Sequence, residues 1–511
     1  MIVSITPEIG IDEIPIYAGG LGVLEGDKFI EASEKGLEYV VITLFYRKGY
    51  VYYSFDPEKG LVEEARDFSE YEEKLTREDP FKIYFDDKEI IITPLVFIRN
   101  KAKIVYLKIS APEDFEEKLS RLYVEDDKYW FEAKYIILAK ASYEYIDKRI
   151  GFENISTIDM QESLASLISI LLPHTFRKRL VIHTPGPWGH PKISREVLAR
   201  ELGYTGGEEI ITKISSSRVD KIFTVSEKHY EITRATFPEF DIKLSYVTNG
   251  VSLRRWINEE IKNIYRDERI DPSQFLEAHN KIKKRLLELA KSYKKDLDIK
   301  DHVFIASWAR RVTRYKRPYF MIRLIEDLAD KMNILFILGG KAHPRDGEGV
   351  GYMKIFYELH REYPNVVYIY DYDVEKAKTI LAGSDLLLFT PFPGWEASGT
   401  SFMKAGVNGV PTLASRDGAA VEMISDGFNG WLFGSDIRYP IDLYSNTASE
   451  IDQRDYVSLY DSFKKIIDVY ENNFDYYLEI MINTLKTFSK DADINRVLRQ
   501  YYPEYFRENQ L

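Results

Sequence analysis

"VVYIYDYDVEKAKTILAGSDLLLFTP", residues 366–391, holds two short apolar runs separated by an amphipathic segment of helical length. Neither run alternates with polar residues, so each strand must be covered on both faces. The same alternation extends in both directions. "VFIASWA" (303–309) precedes a helical pattern in "KRPYFMIRLIEDLAD", and "NILFILGG" (333–340) precedes one in "GYMKIFYELHREY". "DLLLFTP" (385–391) leads into the segment that carries Lys404. Apolar strands alternating with helices predict a doubly wound α/β domain around a parallel sheet. Ligands of such domains bind beyond the carboxyl ends of the strands.

The first half of the chain is mixed. "IVSIT", "YVVITLFY", "LVIHTPG" and "KIFTVSEKH" read as parallel-sheet strands. Residues 50–111, with "VYYSF", "EIIITPLVFI" and "KIVYLKIS", alternate as antiparallel strands do and are expected to form a β-rich insertion. Helices are predicted over 128–147, 272–297, 453–471 and 474–500. A chain of 511 residues exceeds the size of a single core. The expected division is an N-terminal domain over 1–252 and a C-terminal domain over 253–511.

Composition narrows the function. A chain 45% hydrophobic and 30% charged is globular and soluble, and 37 tyrosines with 28 phenylalanines argue against disorder. The net charge of −12 argues against a nucleic-acid partner, which needs basic surface to displace counterions. An anionic substrate would therefore need a local cationic pocket. The absence of cysteine excludes disulfides and thiolate chemistry, and no metal site is expected. "MIVSITPEIG" has no basic leader, and the longest apolar run, "LASLISILLP", is too short to span a bilayer. A cytoplasmic protein without a membrane partner is the expectation. Scarce glutamine beside abundant Lys, Glu and Ile resembles heat-adapted proteins.

Four segments stand at strand-to-helix junctions. In "GWEASGTSFMKAGVNG" (394–409), Lys404 lies among small and apolar residues, where an unpaired ammonium is costly. Either it snorkels to solvent, or its amine has a chemical task. Ser398, Gly399, Thr400 and Ser401 just before it could hold a phosphate at a helix start. "IYAGGLGVLEGD" offers Gly19, Gly20 and Gly22, which are an anion-binding loop or an ordinary tight turn. "ARRVTRYKRP" places Arg310, Arg311, Arg314, Lys316 and Arg317 after a strand. They form either a solvated helix start or a phosphate site. "YVTNGVSLRRWI" contains Asn249, Arg254, Arg255 and Trp256, and by itself reads as an Asn-Gly turn. A phosphate nest, a cationic cluster and a buried lysine with a lowered pKa together suggest pyridoxal phosphate.

Taken together, these segments resemble the α-glucan phosphorylases, the glycogen and maltodextrin phosphorylase family. "EASGTSFMKAGVNGV" is similar to that family's cofactor segment, and Lys404 falls on its cofactor lysine. "GGLGVLEGD" resembles the glycine loop, "RRVTRYKR" the phosphate-binding segment and "TNGVSLRRW" the Thr-Asn-Gly segment. "HTPGPWGH", "GGKAHP", "DYDVEKA" and "DGAAVEM" follow in the family's order, and the likeness covers roughly residues 2–433. It implies two Rossmann-like domains of the GT-B glycosyltransferase type with the active site in the cleft between them.

The resemblance also implies residue roles. Lys404 would carry pyridoxal phosphate, with Gly19, Gly20 and Thr400 around its phosphate and Tyr372 and Trp256 lining its pocket. Arg311 and Lys316 would bind the substrate phosphate. His183, Asn249 and Glu396 would hold the terminal glucose, beside the Ser398–Gly399 backbone. The implied reaction is reversible phosphorolysis of a terminal α-1,4-linked glucose to α-glucose 1-phosphate with retention, the cofactor phosphate exchanging the proton. The partners would be glycogen or maltodextrin and inorganic phosphate, and a homo-oligomer is compatible. The chain departs from the pattern at Phe402, where a small or polar residue is usual. It is also much shorter than the large members, which predicts a minimal, unregulated enzyme. Two other readings use the same residues: a nucleotide-sugar-dependent glucan synthase of the same fold, and a glucan-binding protein without turnover.

Overall fold

The computed structural model describes residues 1–56, 58–264, 270–297 and 303–506. Two parallel sheets organise the chain. The first contains β1 (Ile2–Ile5) and β2 (Tyr39–Leu44), whereas β3 (Tyr52–Asp56) and β4 (Gly60–Glu64) form a hairpin apart from it. It continues with β5 (Thr76–Arg77), β6 (Phe81–Phe85), β7 (Lys88–Arg99) and β8 (Ala102–Ala111). β9 (Thr157–Gln161), β10 (Arg177–Val181), β11 (Lys221–Thr224) and β12 (Leu244–Tyr246) complete it. The spatial order is β12-β11-β10-β9-β1-β2-β8-β7-β5, and β6 pairs with β7.

From β12 through β8 every neighbour is parallel. Of the segment read as a β-rich insertion, only the β3–β4 hairpin stands apart; the rest is continuous with the main sheet. Its last strand, β8, pairs in parallel with β2 (Val40 opposite Lys103), and β5, β6 and β7 add an antiparallel edge.

The second sheet holds β13 (Phe304–Ala309), β14 (Ile334–Gly339), β15 (Val366–Ile369), β16 (Leu386–Phe389), β17 (Thr412–Ser415) and β18 (Trp431–Phe433). Its order, β15-β14-β13-β16-β17-β18, reverses direction at β13, as in the dinucleotide-binding doubly wound fold. β13 to β17 are buried along their whole length, which is why their sequences lack alternation. With the first sheet reversing at β1, the molecule is two doubly wound units facing each other, the GT-B arrangement. Among the described residues no helix is long and apolar enough to cross a membrane.

Two expected helices end differently. The helix predicted over 272–297 runs Pro272–Tyr293. Lys294 leaves it in an extended conformation, and its ammonium donates to the carbonyls of Tyr363, at 2.5 Å, and His360. The helix predicted over 474–500 is split into Phe474–Asp491 and Ile494–Tyr501. At the break the chain pairs with the start of the second half: Val251 N–H donates to Ala492 C=O at 2.7 Å, and Ile494 N–H to Val251 C=O at 3.0 Å. Asp493 then caps the new helix through the Asn495 N–H.

That last helix returns to the first sheet. The Arg179 guanidinium is buried, forks onto Asp159 of β9 at 2.5 and 2.6 Å, and reaches the Tyr501 carbonyl at 2.6 Å. Tyr502 donates its hydroxyl to the same Asp159.

Candidate active site

The carboxyl ends of both sheets open on one cavity of about 520 Å³. From the first sheet it is lined by the loop after β1, by Glu162 after β9 and by His183 after β10. From the second come Arg310 and Arg311 after β13, Lys341 after β14, Tyr372 after β15 and residues 395–401 with Lys404 after β16. Every residue predicted for the site from sequence lines this cavity. Gly19 and Gly20 are there, as are His183, Asn249 and Trp256, and so are Arg311, Lys316 and Tyr372. Glu396, Ser398, Gly399, Thr400 and Lys404 complete the set.

Lys404 sits on the short helix Ser401–Gly406, whose turn is closed by the Lys404 N–H donating to Thr400 C=O at 3.0 Å. Asn408 ties that turn to the segment before the second sheet: its side-chain amide donates to the carbonyls of Lys404 and Trp256, both at 2.9 Å. The ammonium lies 4.1 Å from the centre of the Trp256 ring. Burial lowers its pKa to about 8, with Arg255 acting in the same sense and Asp27 against it. Asp27 accepts from the Trp256 indole N–H at 2.8 Å and from Arg255 at 3.1 Å. A lysine amine free of its proton near neutral pH is the reactive form.

The glycine loop is held by a carboxylate that sequence reading missed. Glu8 accepts the N–H groups of Ala18 (2.6 Å) and Gly19 (3.2 Å) and the Tyr123 hydroxyl (3.2 Å). Gly19 also leaves room for a cation: a Cβ there would lie 2.5 Å from an Arg311 guanidinium nitrogen and would push that side chain away. The loop therefore brings Arg311 against the start of helix Gly20–Glu34. No local pattern marks Glu8, because its partners lie at least ten residues away in the chain.

The basic cluster divides. Arg310, Arg311 and Lys316 face the cavity, whereas Arg314 pairs with Glu348 at 2.9 Å. Arg317 is fully buried between Asp452 (2.8 Å) and Asp455 (2.9 Å). It takes a left-handed backbone, φ 53°, at the end of the turn Arg314–Lys316. Glu396 receives Arg310 at 2.6 Å and Lys316 at 3.1 Å. Burial alone would raise the Glu396 pKa, but these two cations hold it below the usual value. Lys316 is pushed down to about 7, chiefly by burial, then by Arg310 and Arg311, with Glu396 opposing. Arg310 keeps two guanidinium nitrogens buried without a partner. The cations thus exceed what Glu396 alone neutralises, which suits the cavity to an anion.

Asp417, in the segment "DGAAVEM", accepts the N–H groups of Gly394 (2.8 Å), Trp395 (3.1 Å) and Glu396 (2.7 Å), and so sets the position of Glu396. On the opposite wall His183 donates its N–H to Glu162 at 2.6 Å, and its Nε2 lies 2.9 Å from the Gln161 carbonyl oxygen. Burial lowers the His183 pKa well below its usual value, so the imidazole is neutral. Its Nε2 then carries the proton, and Nδ1 is an acceptor. The Asn249 carbonyl is anchored by Arg496 of the last helix at 2.9 Å.

Residues 259–505 match the carbohydrate phosphorylases. A maltodextrin phosphorylase of Thermococcus litoralis is 28% identical over 99% of this chain and 70% of its own length. A glycogen phosphorylase of Aquifex aeolicus is 26% identical over 85% of this chain and 76% of its own. An uncharacterized protein of Methanocaldococcus jannaschii, 26% identical, matches over 89% of this chain and 90% of its own.

Residues 259–505 carry the carbohydrate phosphorylase domain.

Within this domain Phe402 stands away from the cavity. Its ring is fully buried, edge-on to Phe389 (centroids 5.1 Å apart) and to Phe488 (5.9 Å). Two residues before Lys404 on the same helix, it faces the core instead of the site. Gly399, at φ 76°, closes the other side of Phe389: a Cβ there would meet that ring at 2.3 Å.

Proposed function

We propose that this protein is an α-1,4-glucan phosphorylase that uses pyridoxal phosphate. The observation that carries the reading is the meeting, in one cavity, of a buried lysine with a pKa near 8 and three further cationic side chains, two of which share the Glu396 carboxylate.

The residues present fit the cofactor. The Lys404 amine is buried and lies over Trp256, the Ser398 hydroxyl is buried without a partner, and Arg310 has unpaired nitrogens. In this reading Lys404 holds pyridoxal phosphate covalently, Trp256 and Tyr372 flank its ring, and Gly19, Gly20 and Thr400 surround its phosphate. Gly19 contributes shape, since its N–H is engaged by Glu8. When bound, the cofactor supplies a phosphate group able to give and take a proton.

The protein's own groups position the reactants. Arg311 and Lys316 hold inorganic phosphate, a fork and a point charge matched to an oxyanion. A carboxylate offers about four lone-pair directions, so Glu396 can keep Arg310 and Lys316 and still accept sugar hydroxyls. His183 with its acceptor Nδ1, Asn249 and the Ser398–Gly399 backbone complete the glucose contacts. In the forward direction the glycosidic bond between C1 and the departing oxygen breaks. A phosphate oxygen then bonds C1 on the same face, and the departing oxygen leaves as a hydroxyl. Orientation and fixed charge in a water-poor cavity supply the rate.

The test is direct. Purified protein incubated with pyridoxal phosphate, maltodextrin and inorganic phosphate is expected to release glucose 1-phosphate and to carry about one cofactor per chain on Lys404 after borohydride reduction. Glucan elongation from a nucleotide sugar without cofactor would assign the cavity to a synthase instead. Glucan binding with neither reaction would leave a binding protein.

A further inference from the structure

Trp188 lines the same cavity yet is 53% exposed. It sits on the turn Pro187–Gly189, and its ring folds over Gly186, where a Cβ would meet it at 2.6 Å. Its indole stacks on Trp395, with centroids 5.3 Å apart and planes 25° from parallel, and lies 5.6 Å from the Tyr315 ring. The two supporting rings are themselves fixed from behind. Trp395 donates its indole N–H to Ile441 C=O at 2.9 Å and its backbone N–H to Asp417 at 3.1 Å. Trp395 and Tyr315 also pack against a small apolar cluster, separate from the main core, that includes Phe392, Ile437 and Ile441.

An indole held half-exposed on a rigid aromatic base at a cavity presents a fixed apolar face that a ligand gains by covering. The chemistry of that ligand is legible. A pyranose ring presents flat C–H faces and a hydroxyl rim, so it covers an aromatic face while its polar edge stays in solvent. Trp395 directly precedes Glu396, and Tyr315 directly precedes Lys316. The aromatic base is therefore continuous with the residues that hold the terminal sugar and the phosphate.

We propose that Trp188, backed by Trp395 and Tyr315, is a stacking platform for glucosyl units beyond the terminal one. It makes the protein prefer longer α-1,4-glucans to short ones. The identity of the chain that it receives rests on the phosphorylase reading; the binding step itself needs no turnover.

Calorimetric titration of the cofactor-loaded protein with maltoheptaose and with glucose tests this. Trp188→Ala is expected to weaken maltoheptaose about tenfold and Trp188→Phe by less than about threefold, since one stacked ring is lost or shrunk. Glucose, which does not reach the platform, should bind all three proteins alike. Undiminished maltoheptaose affinity in Trp188→Ala overturns the proposal, as does an equal loss for both sugars. The two readings separate cleanly. A platform that binds maltoheptaose through Trp188 in a protein releasing no glucose 1-phosphate sinks only the activity. Phosphorolysis with unchanged maltoheptaose affinity in Trp188→Ala sinks only the platform.

Discussion

Lys404 and Asp27 meet on one indole: the ammonium lies over the Trp256 ring, 4.1 Å from its centre, and the Trp256 N–H donates to Asp27 at 2.8 Å. The carboxylate belongs to the helix that follows the glycine loop, the lysine to the second sheet. Its charge raises the lysine pKa, while burial and Arg255 lower it. The reactivity of the amine is thus set jointly by both halves of the molecule.

Loading with pyridoxal phosphate should follow that balance. Apo protein is expected to take up cofactor slowly at neutral pH and faster as pH rises, levelling off above about 8. Asp27→Asn removes a negative charge, so the midpoint should move to lower pH. Stopped-flow absorbance reads both, and Lys404→Ala should not load at all. A midpoint left near the ordinary lysine value, or unmoved by Asp27→Asn, would contradict the assignment.

Lys316 is placed to make anion binding pH-sensitive. Its pKa near 7 means that its charge is present below neutral pH and fades above it. Sulfate keeps its charge from about pH 6 to about pH 9, so its direct binding, measured without phosphate, should weaken across that range because of the protein alone. Lys316→Arg stays charged and should flatten the profile. Lys316→Ala should cut phosphorolysis by at least about 100-fold. A sulfate profile equally steep in Lys316→Arg would exclude this lysine as the titrating group.

Glu162 carries a stability prediction. Burial raises its pKa to about 7, with the Thr184 hydroxyl and the His183 N–H opposing. Its unfolded value is about 4.3. Between these values the folded chain keeps a proton that the unfolded chain has lost. The contribution is therefore complete below about 4.3 and declines as pH rises, reaching its minimum above about 7. Glu162→Gln removes the titration. Its stability relative to the parent should improve from pH 5 to pH 8 by an amount on the order of 3 kcal/mol at most. The pH dependence of that difference, read from urea unfolding, is decisive. A constant difference across the range would mean that the carboxyl is ionised throughout.

Phe402→Ala should separate packing from chemistry. Removing a ring enclosed by Phe389 and Phe488 costs about 3–5 kcal/mol of stability, seen as a lower unfolding midpoint. Cofactor content per folded molecule should not change, because the ring does not line the cavity. Sharply higher cofactor occupancy in the variant would mean that the ring obstructs the site.

The second sheet was readable because its strands are buried on both faces and its helices are local; VVYI and LLLF needed no distant partner to be recognised. The break at Ala492–Asp493 was not, since it depends on Val251, which follows the first sheet and lies far away in the chain. Likewise the basic cluster could be seen as a cluster but not partitioned. Only Asp452 and Asp455, on a later helix, separate Arg317 from the cations of the cavity. Lys404 stood out within its own segment, whereas Glu396 was reached only through the family resemblance. Supporting groups such as Glu8 and Asn408 did not stand out, because a lone carboxylate or amide has no local signature.

The pairing of Val251 with Ala492 and Ile494 also has a mechanical side. The chain crosses between its halves twice, once outward and once back, and the two crossings lie side by side, joined by hydrogen bonds. Two segments joined in this way can turn about their common line without losing the pairing, whereas sliding across it would break the hydrogen bonds. We expect any widening of the cleft to turn about residues 251 and 492–494, where the pairing survives. The amides of Val251 and Ile494 should then exchange with solvent together; exchange of one without the other would show that the halves part along a different line.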